Sequence, residues 1–379
     1  MIYLDNAATS FPKPEGVWSA CGETLRRWGG NPGRSGHLLA MRASEEIFRT
    51  RSLLASLFHT QPEQIIFTAN ATHALNLAIK GLLHPGDHVV ISPMEHNSVM
   101  RPLTAAQVRW TAADYVFEDD EATVRSFERA ITPETKAIVC THASNVLGCI
   151  FPVEKLEDLC REKGILFLCD ASQSAGILPI SGGRGHSAWC MPGHKGLLGP
   201  QGTGVLILGE ALSPRTWIEG GSGTNSTEFL PPEEWPERFE AGTPNTPGIA
   251  GLGAGVHYVL KHGESIRKNE KILLEKLHRC LRAIAGVHVY GSPCNSVCTV
   301  SFNVTGLFCG EVASRLDEQG FCVRAGLHCA PTAHRYNGTL ETGTVRVSPG
   351  PFNTAAEIDR FAEGVERIAQ QAKGKLSRR

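Results

Sequence analysis

The sequence has almost no net charge: 37 lysines and arginines stand against 38 aspartates and glutamates, which leaves −1 at pH 7. No global basic field exists to gather nucleic acid or an anionic membrane surface, so neither is expected as a partner. Long hydrophobic runs are also missing. No stretch approaches the roughly 18 consecutive apolar residues of a membrane span. The opening Met1-Ile-Tyr-Leu-Asp5-Asn6 has neither the charged region nor the apolar region of a secretory signal. There is no internal repeat and no low-complexity linker. The 12 cysteines follow no disulfide framework. Cys294 and Cys298 are the one close pair, and no second pair sits at zinc-ribbon spacing, so no metal is expected. The thiols read as reduced and the protein as cytoplasmic. The basic tail from Lys373 to Arg379 reads as a solvated end.

What is present is an ordinary globular composition, 379 residues with 41% apolar and 20% charged. A chain of this length buries a large core without help from disulfides or metal. Short apolar strands alternate with helical stretches. Strands are expected at 63–68, 87–92, 136–141, 165–169 and 203–208. Helices are expected at 71–83 and 153–163, the second stopping at Gly164. Strands apolar on both faces, alternating with helices, predict an α/β fold with a mostly parallel sheet covered on both sides. After the turn-rich Gly242–Pro247 segment comes a helical stretch from about 249 to 285. Strand-like segments near 296–303 and 344–348 and a helix over 357–371 close the chain.

In an open α/β sheet, ligands bind beyond the carboxyl ends of the strands. Asp170 falls there, with Gln173 just after it. A carboxylate at that place either caps a turn or pairs with a cation. Lys195 is flanked by glycines in Pro192-Gly-His-Lys-Gly196. It is either an exposed loop lysine or, if withdrawn from water, an amine able to form a Schiff base. Asn70-Ala71-Thr72 opens a helix, as a plain cap or as an anion site. His96 follows another strand and either stacks on a planar ligand or decorates a turn. Cys329 lies among Arg324, Gly326 and His328, and positive neighbours raise a thiol's thiolate fraction. Cys140, Cys160, Cys169 and Cys280 fall in strands or helices and read as small buried hydrophobes. Arg346, on a short strand, is either a surface arginine or a bidentate carboxylate receptor.

Taken in order, these segments resemble the class V aminotransferases, enzymes that use pyridoxal 5′-phosphate (PLP), and within them the cysteine desulfurases and selenocysteine lyases. The resemblance runs from Tyr3-Leu-Asp-Asn-Ala-Ala-Thr9 and Asn31-Pro-Gly-Arg-Ser-Gly-His37 through Glu95-His-Asn97, Ser144-Asn-Val-Leu-Gly148, Asp170-Ala-Ser-Gln-Ser174 and Gly193-His-Lys195. It continues through Arg238-Phe-Glu-Ala-Gly-Thr-Pro-Asn245 to Arg324-Ala-Gly-Leu-His-Cys-Ala330. It implies PLP-dependent transferase fold type I, a large domain with a seven-stranded, mostly parallel sheet between helices and a smaller α+β domain. Residues 11–255 would form the large domain, and 1–10 with 256–379 the small one.

The resemblance also implies roles. Lys195 holds PLP, Asp170 pairs with its ring nitrogen, Gln173 meets its phenolic oxygen, His96 stacks on its face and Asn145 is a polar neighbour. Asn70, Ala71, Thr72 and His194 surround the phosphate, together with Thr243 from a second subunit, which implies a homodimer with shared active sites. Arg346, Asn6 and Arg34 bind the substrate. Cys329 accepts sulfur from L-cysteine, giving L-alanine and a persulfide for a sulfur-acceptor protein, as in iron–sulfur cluster assembly. Two positions depart from the family pattern: many relatives have a hydroxyl residue in place of Ala71 and a serine in place of Pro192. The short segment after Cys329 is similar to that of the compact-loop group. The alternatives are selenocysteine lyase, cysteine-sulfinate lyase, an aminotransferase, or a non-catalytic protein on the same fold.

Overall fold

The structure, a computed structural model, describes residues 1–32, 36–223 and 227–376. The strands in chain order are β1 (Ile2–Tyr3), β2 (Ile65–Thr68), β3 (His88–Ile91), β4 (Arg109–Ala112), β5 (Thr135–Thr141), β6 (Leu166–Asp170), β7 (Ser187–Pro192), β8 (Gly204–Leu208), β9 (Val287–Tyr290), β10 (Val300–Val304), β11 (Phe321–Cys322), β12 (Arg324–Gly326) and β13 (Thr344–Val347). The helices are α1 (Glu15–Arg27), α2 (Leu38–Phe58), α3 (Ala71–Leu82), α4 (Asn97–Ala105), α5 (Asp120–Ala130), α6 (Val153–Lys163), α7 (Thr246–Ala283), α8 (Cys309–Asp317), α9 (Pro331–Tyr336) and α10 (Ala355–Leu376).

The main sheet has seven strands in the order β2-β8-β7-β6-β5-β3-β4. Its central strands pair in parallel, and β8 alone runs against its neighbours. The expected α/β architecture is therefore present. The central strands are apolar on both faces because both are covered. One face packs Phe58, Ile138, Phe167, Trp189 and Val256. The other packs Leu75, Ile79, Val89, Leu168 and Leu206. A four-stranded antiparallel sheet, β12-β13-β10-β9, has its own core of Val300, Phe302, Val345, Phe361 and Leu277. Ile2 and Leu4 join that second core through the parallel pair β1-β11.

Helix α7 is 38 residues long, roughly 57 Å at 1.5 Å per residue. Its start packs Leu252 and Val256 on the large sheet, and its far half packs Leu273 to Leu281 on the small one. Asn245 caps this helix, its side chain accepting from the Gly248 N–H.

Helix α6 runs over the expected residues and ends where Gly164 takes a left-handed φ of 67°. Several elements differ from expectation. Strand β10 starts at Val300 rather than near 296, because residues 294–297 turn to meet the loop before Ile150. Strand β7 occupies a segment not expected to be a strand, and the edge strand β4 is exposed at all four positions. Cys140, Cys160 and Cys169 are buried as expected, but Cys280 is only half-buried.

Candidate active site

The strands β2, β3, β5, β6 and β7 run in one direction, so their carboxyl ends share one edge of the sheet. That edge delivers Asn70 after β2, His96 after β3, Asn145 after β5, Asp170 at the end of β6, and His194 and Lys195 after β7.

Asp170 is almost completely buried, with 2% exposure. Its Oδ1 accepts the Ser172 backbone N–H at 2.9 Å, and it forms no salt bridge among the described residues. A buried carboxylate with so little compensation is costly unless a cation joins it. Lys195 lies in the same charge cluster. Burial lowers its amine to about 8, with Asp170 opposing the shift and Arg346 and Arg324 adding to it. Its backbone is fixed from the amino-terminal segment: Ser10 Oγ donates to the Lys195 carbonyl at 2.9 Å, and Lys13 Nζ donates to the His194 carbonyl at 2.8 Å.

His96 caps α4. Its Nδ1 accepts the Ser98 N–H at 3.0 Å, so the neutral ring carries its proton on Nε2. Burial, with the nearby cations, lowers it to about 4, so the ring is neutral at pH 7. Ser98 Oγ in turn meets Thr72 Oγ1 at 2.8 Å. Asn70 is the cap of α3, its Oδ1 accepting from the His73 N–H at 2.9 Å. The amides of Ala71 and Thr72 stand in the first turn of that helix, where an anion is favoured. Gln173 Nε2 donates to the Ala7 carbonyl at 3.0 Å. The His194 ring is half-buried, lowered to about 4 mainly by burial, and its Nδ1 has no partner. Thr243 is exposed on the segment before α7. Arg34 lies outside the described residues.

The small sheet supplies the opposite wall. Arg324 on β12 and Arg346 on β13 are directly paired across the strands. Arg346 is 1% exposed, so it is no surface arginine. One NH group donates to Asp5 Oδ1 at 2.6 Å and the other to the Asn145 carbonyl at 3.1 Å, while its buried Nε has no partner. Asn6 is near, tied through its Nδ2 to the Ser348 carbonyl at 3.0 Å.

Cys329 is exposed, and an Arg324 NH group lies 3.8 Å from its Sγ. His328 and Cys329 both hold left-handed backbones, φ 49° and 57°, unusual for residues with side chains. Three contacts hold this turn. The Asn145 amide donates to the His328 carbonyl at 2.8 Å, the Asn97 N–H to the Cys329 carbonyl at 2.7 Å, and Thr332 Oγ1 to the Glu95 carbonyl at 2.7 Å. The His328 ring packs under the turn against Thr344.

The arrangement is a cleft edge with a low-pKa amine, a buried carboxylate, a neutral imidazole, a carboxylate-ready arginine and one accessible thiol. Such a set suits amino-acid chemistry on a carbonyl cofactor. A family profile described as aminotransferase class-V matches residues 2–361. The chain belongs to the class V aminotransferase family. It is 35% identical over 381 residues to a protein of Methanothermobacter thermautotrophicus named "Probable cysteine desulfurase", covering 97% of this chain and 94% of that one. It is 32% identical over 385 residues to a cysteine desulfurase of Escherichia coli O157:H7, covering 97% and 93%. Among solved structures it matches the apo structure of a cysteine desulfurase from Thermococcus onnurineus with a TM-score of 0.88 and 31% identity, over 98% of this chain and 95% of that one.

Reading the sequence missed Asp5 and the anchoring use of Asn145. Asp5 adjoins Asn6 in sequence, but only the fold brings it to Arg346 across 341 positions.

Proposed function

We propose that this protein is a cysteine desulfurase, which takes the sulfur of L-cysteine onto Cys329 and releases L-alanine. The observation that carries the reading is one exposed thiol, on a constrained turn beside Arg324, at the edge of the cluster around Lys195. Amino-group transfer has no use for such a thiol.

The residues fit PLP. Asp170 is a buried carboxylate in want of a cation, which a protonated ring nitrogen supplies. Lys195 would hold the cofactor's carbonyl carbon, His96 would lie on the ring, and Gln173 and Asn145 would be its polar neighbours. Asn70, Ala71, Thr72 and His194 would receive the phosphate. PLP, when bound, supplies the electron sink that makes loss of the substrate's Cα proton feasible.

The chain's own groups do the rest. Arg346 takes the substrate carboxylate, with Asn6 beside it and Arg34 as a further substrate contact. Lys195, titrating near 8, removes the Cα proton and later returns one. The Cys329 thiolate attacks the substrate sulfur. An S–S bond forms, the Cβ–S bond breaks, and the electron pair left on carbon takes a proton to give alanine. Cys329 then carries a persulfide for an acceptor protein, a use in keeping with iron–sulfur cluster assembly.

The reading extends to a homodimer. Helices α1 and α2 leave Trp18, Leu25, Leu38, Met41 and Phe48 exposed, apolar side chains that a second copy of the chain would cover. Thr243, exposed on the segment before α7, would complete the phosphate site of the partner. Residues 11–255 would be the cofactor domain, and 1–10 with 256–379 the small domain. No described helix is long and apolar enough to cross a membrane, and a cytoplasmic place suits the many free thiols.

The test is intact-mass analysis of the PLP-loaded protein after one equivalent of L-cysteine without reductant. A gain of one sulfur atom on the Cys329 peptide, removed by thiol, is expected. Alanine formed with no sulfur on Cys329 would contradict the reading.

A further inference from the structure

Arg346 does not wait for a substrate as a lone cation. Asp5 already holds it at 2.6 Å, and the two side chains are 1% and 20% exposed. The pair is neutral as a unit, so bulk attraction for anions is largely cancelled. What remains is directional. The Arg346 Nε–H is buried and unpartnered, and Asp5 Oδ2 accepts no hydrogen bond from the described residues. An unpartnered donor and an unpartnered acceptor therefore belong to one ion pair.

Asp5 is held for this place by backbone. It bridges Ser348 in parallel, the Asn6 N–H donates to the Ser348 carbonyl at 3.1 Å, and the Ser348 N–H to the Leu4 carbonyl at 2.7 Å. Tyr3 Oη also donates to the Asp5 carbonyl at 3.1 Å. Asp5 acts electrostatically on the Lys195 amine, which the substrate's own amine must approach. The partly exposed Asp5 carboxylate thus bears on the amine that the substrate's ammonium must approach, from within the same ion pair as Arg346.

We propose that the Asp5–Arg346 pair reads zwitterions, with Asp5 as the residue that selects α-amino acids over simple carboxylates. A simple carboxylate meets Arg346 but is repelled by Asp5. An α-amino acid satisfies both at once. The inference rests on Arg346 being the substrate-carboxylate group, so the test must separate the two.

The measurement is competitive inhibition of L-cysteine turnover by L-alanine and by propionate, which differ by the amino group, in the PLP-loaded protein. An absorbance titration with each ligand in the absence of cysteine gives a readout independent of turnover. Any capture of the amine by the cofactor is common to all variants and cancels in the comparison. In Asp5→Asn, propionate should bind several-fold tighter and the preference for L-alanine should fall about tenfold. Asp5→Ser serves as a second neutral variant if Asp5→Asn does not fold, and Asp5→Glu should restore most of the preference. An unchanged preference in a folded neutral variant overturns the inference, because a purely structural salt bridge would lower thermal stability and leave the ratio alone. Arg346→Lys is measured beside it. If that variant leaves both ligands unaffected, the carboxylate site itself is misplaced. If it weakens both while the Asp5 variants keep the ratio, only the zwitterion reading falls.

Discussion

The side-chain amide of Asn145 donates to the carbonyl of His328 at 2.8 Å, one residue before Cys329. The backbone carbonyl of the same Asn145 accepts from Arg346 at 3.1 Å. One residue after β5 therefore ties the nucleophile's strained turn to the buried arginine.

Asn145→Ala removes the first tie and keeps the second, which is backbone. A single hydrogen bond of this kind contributes about 1 kcal/mol, and here it holds a left-handed turn. The expected outcome is kcat lowered about fivefold with KM for L-cysteine within about twofold, and faster hydrogen exchange at 327–330. An unchanged kcat would mean that Asn97 and Thr332 hold the turn without it.

The lowered amine of Lys195 has a direct kinetic consequence. Burial shifts it from 10.5 to about 8. Below that pH the amine is mostly protonated and cannot capture PLP. The rate of PLP uptake by the cofactor-free protein should fall about tenfold per pH unit below about 8 and level off above it. A rate still climbing at pH 10 would place the amine in water.

Glu270 on α7 is buried at 6% exposure, with Oε2 unpartnered, in a cavity of about 40 Å³ shared with Cys298 and Ser348. Burial raises its carboxyl from 4.5 to about 8. Below pH 4.5 it is protonated in both folded and unfolded chains and costs nothing. Between 4.5 and 8 the unfolded chain releases a proton that the folded chain must keep, so the penalty grows with pH and then levels off. Glu270→Gln should therefore raise Tm little at pH 5 and clearly at pH 8. Thermal melts at the two values check this, and equal shifts would contradict it.

Gly176 carries a φ of 81°, and a Cβ there would lie 2.4 Å from the Gly196 carbonyl oxygen, next to Lys195. Gly176→Ala cannot relieve that contact without moving the lysine's neighbour. It should lower Tm by several degrees and weaken PLP retention, read from the absorbance left after gel filtration. Full retention with wild-type Tm would show that the backbone yields freely there.

Much of this was legible in the sequence, for physical reasons. Helix α6 was readable to the residue because Gly164 stops it in a left-handed cap. The apolar strands β3, β5, β6 and β8 were readable because both faces are covered. Strand β7, Ser-Ala-Trp-Cys-Met-Pro, was not: it follows a glycine-rich stretch and ends in proline, so local signals argue against a strand that is stabilised only by its neighbours β6 and β8. The edge strand β4 has no buried face to betray it. At the site, Asp170 stood out by its place at a strand end and Lys195 by its flanking glycines. Arg346 read equally well as a surface residue, and only its tertiary pairing with Asp5 decides between the readings. Asn145 was visible as a polar residue of the site, but its hold on His328 spans 183 positions and leaves no local pattern.

The most direct test is alanine and sulfide release from the purified, PLP-loaded protein given L-cysteine and a reductant, with Cys329→Ala and L-selenocysteine run in parallel. Cysteine turnover is expected, and is expected to be lost in Cys329→Ala while the variant keeps its PLP absorbance. Undiminished cysteine turnover in Cys329→Ala, or turnover of selenocysteine alone, would contradict it.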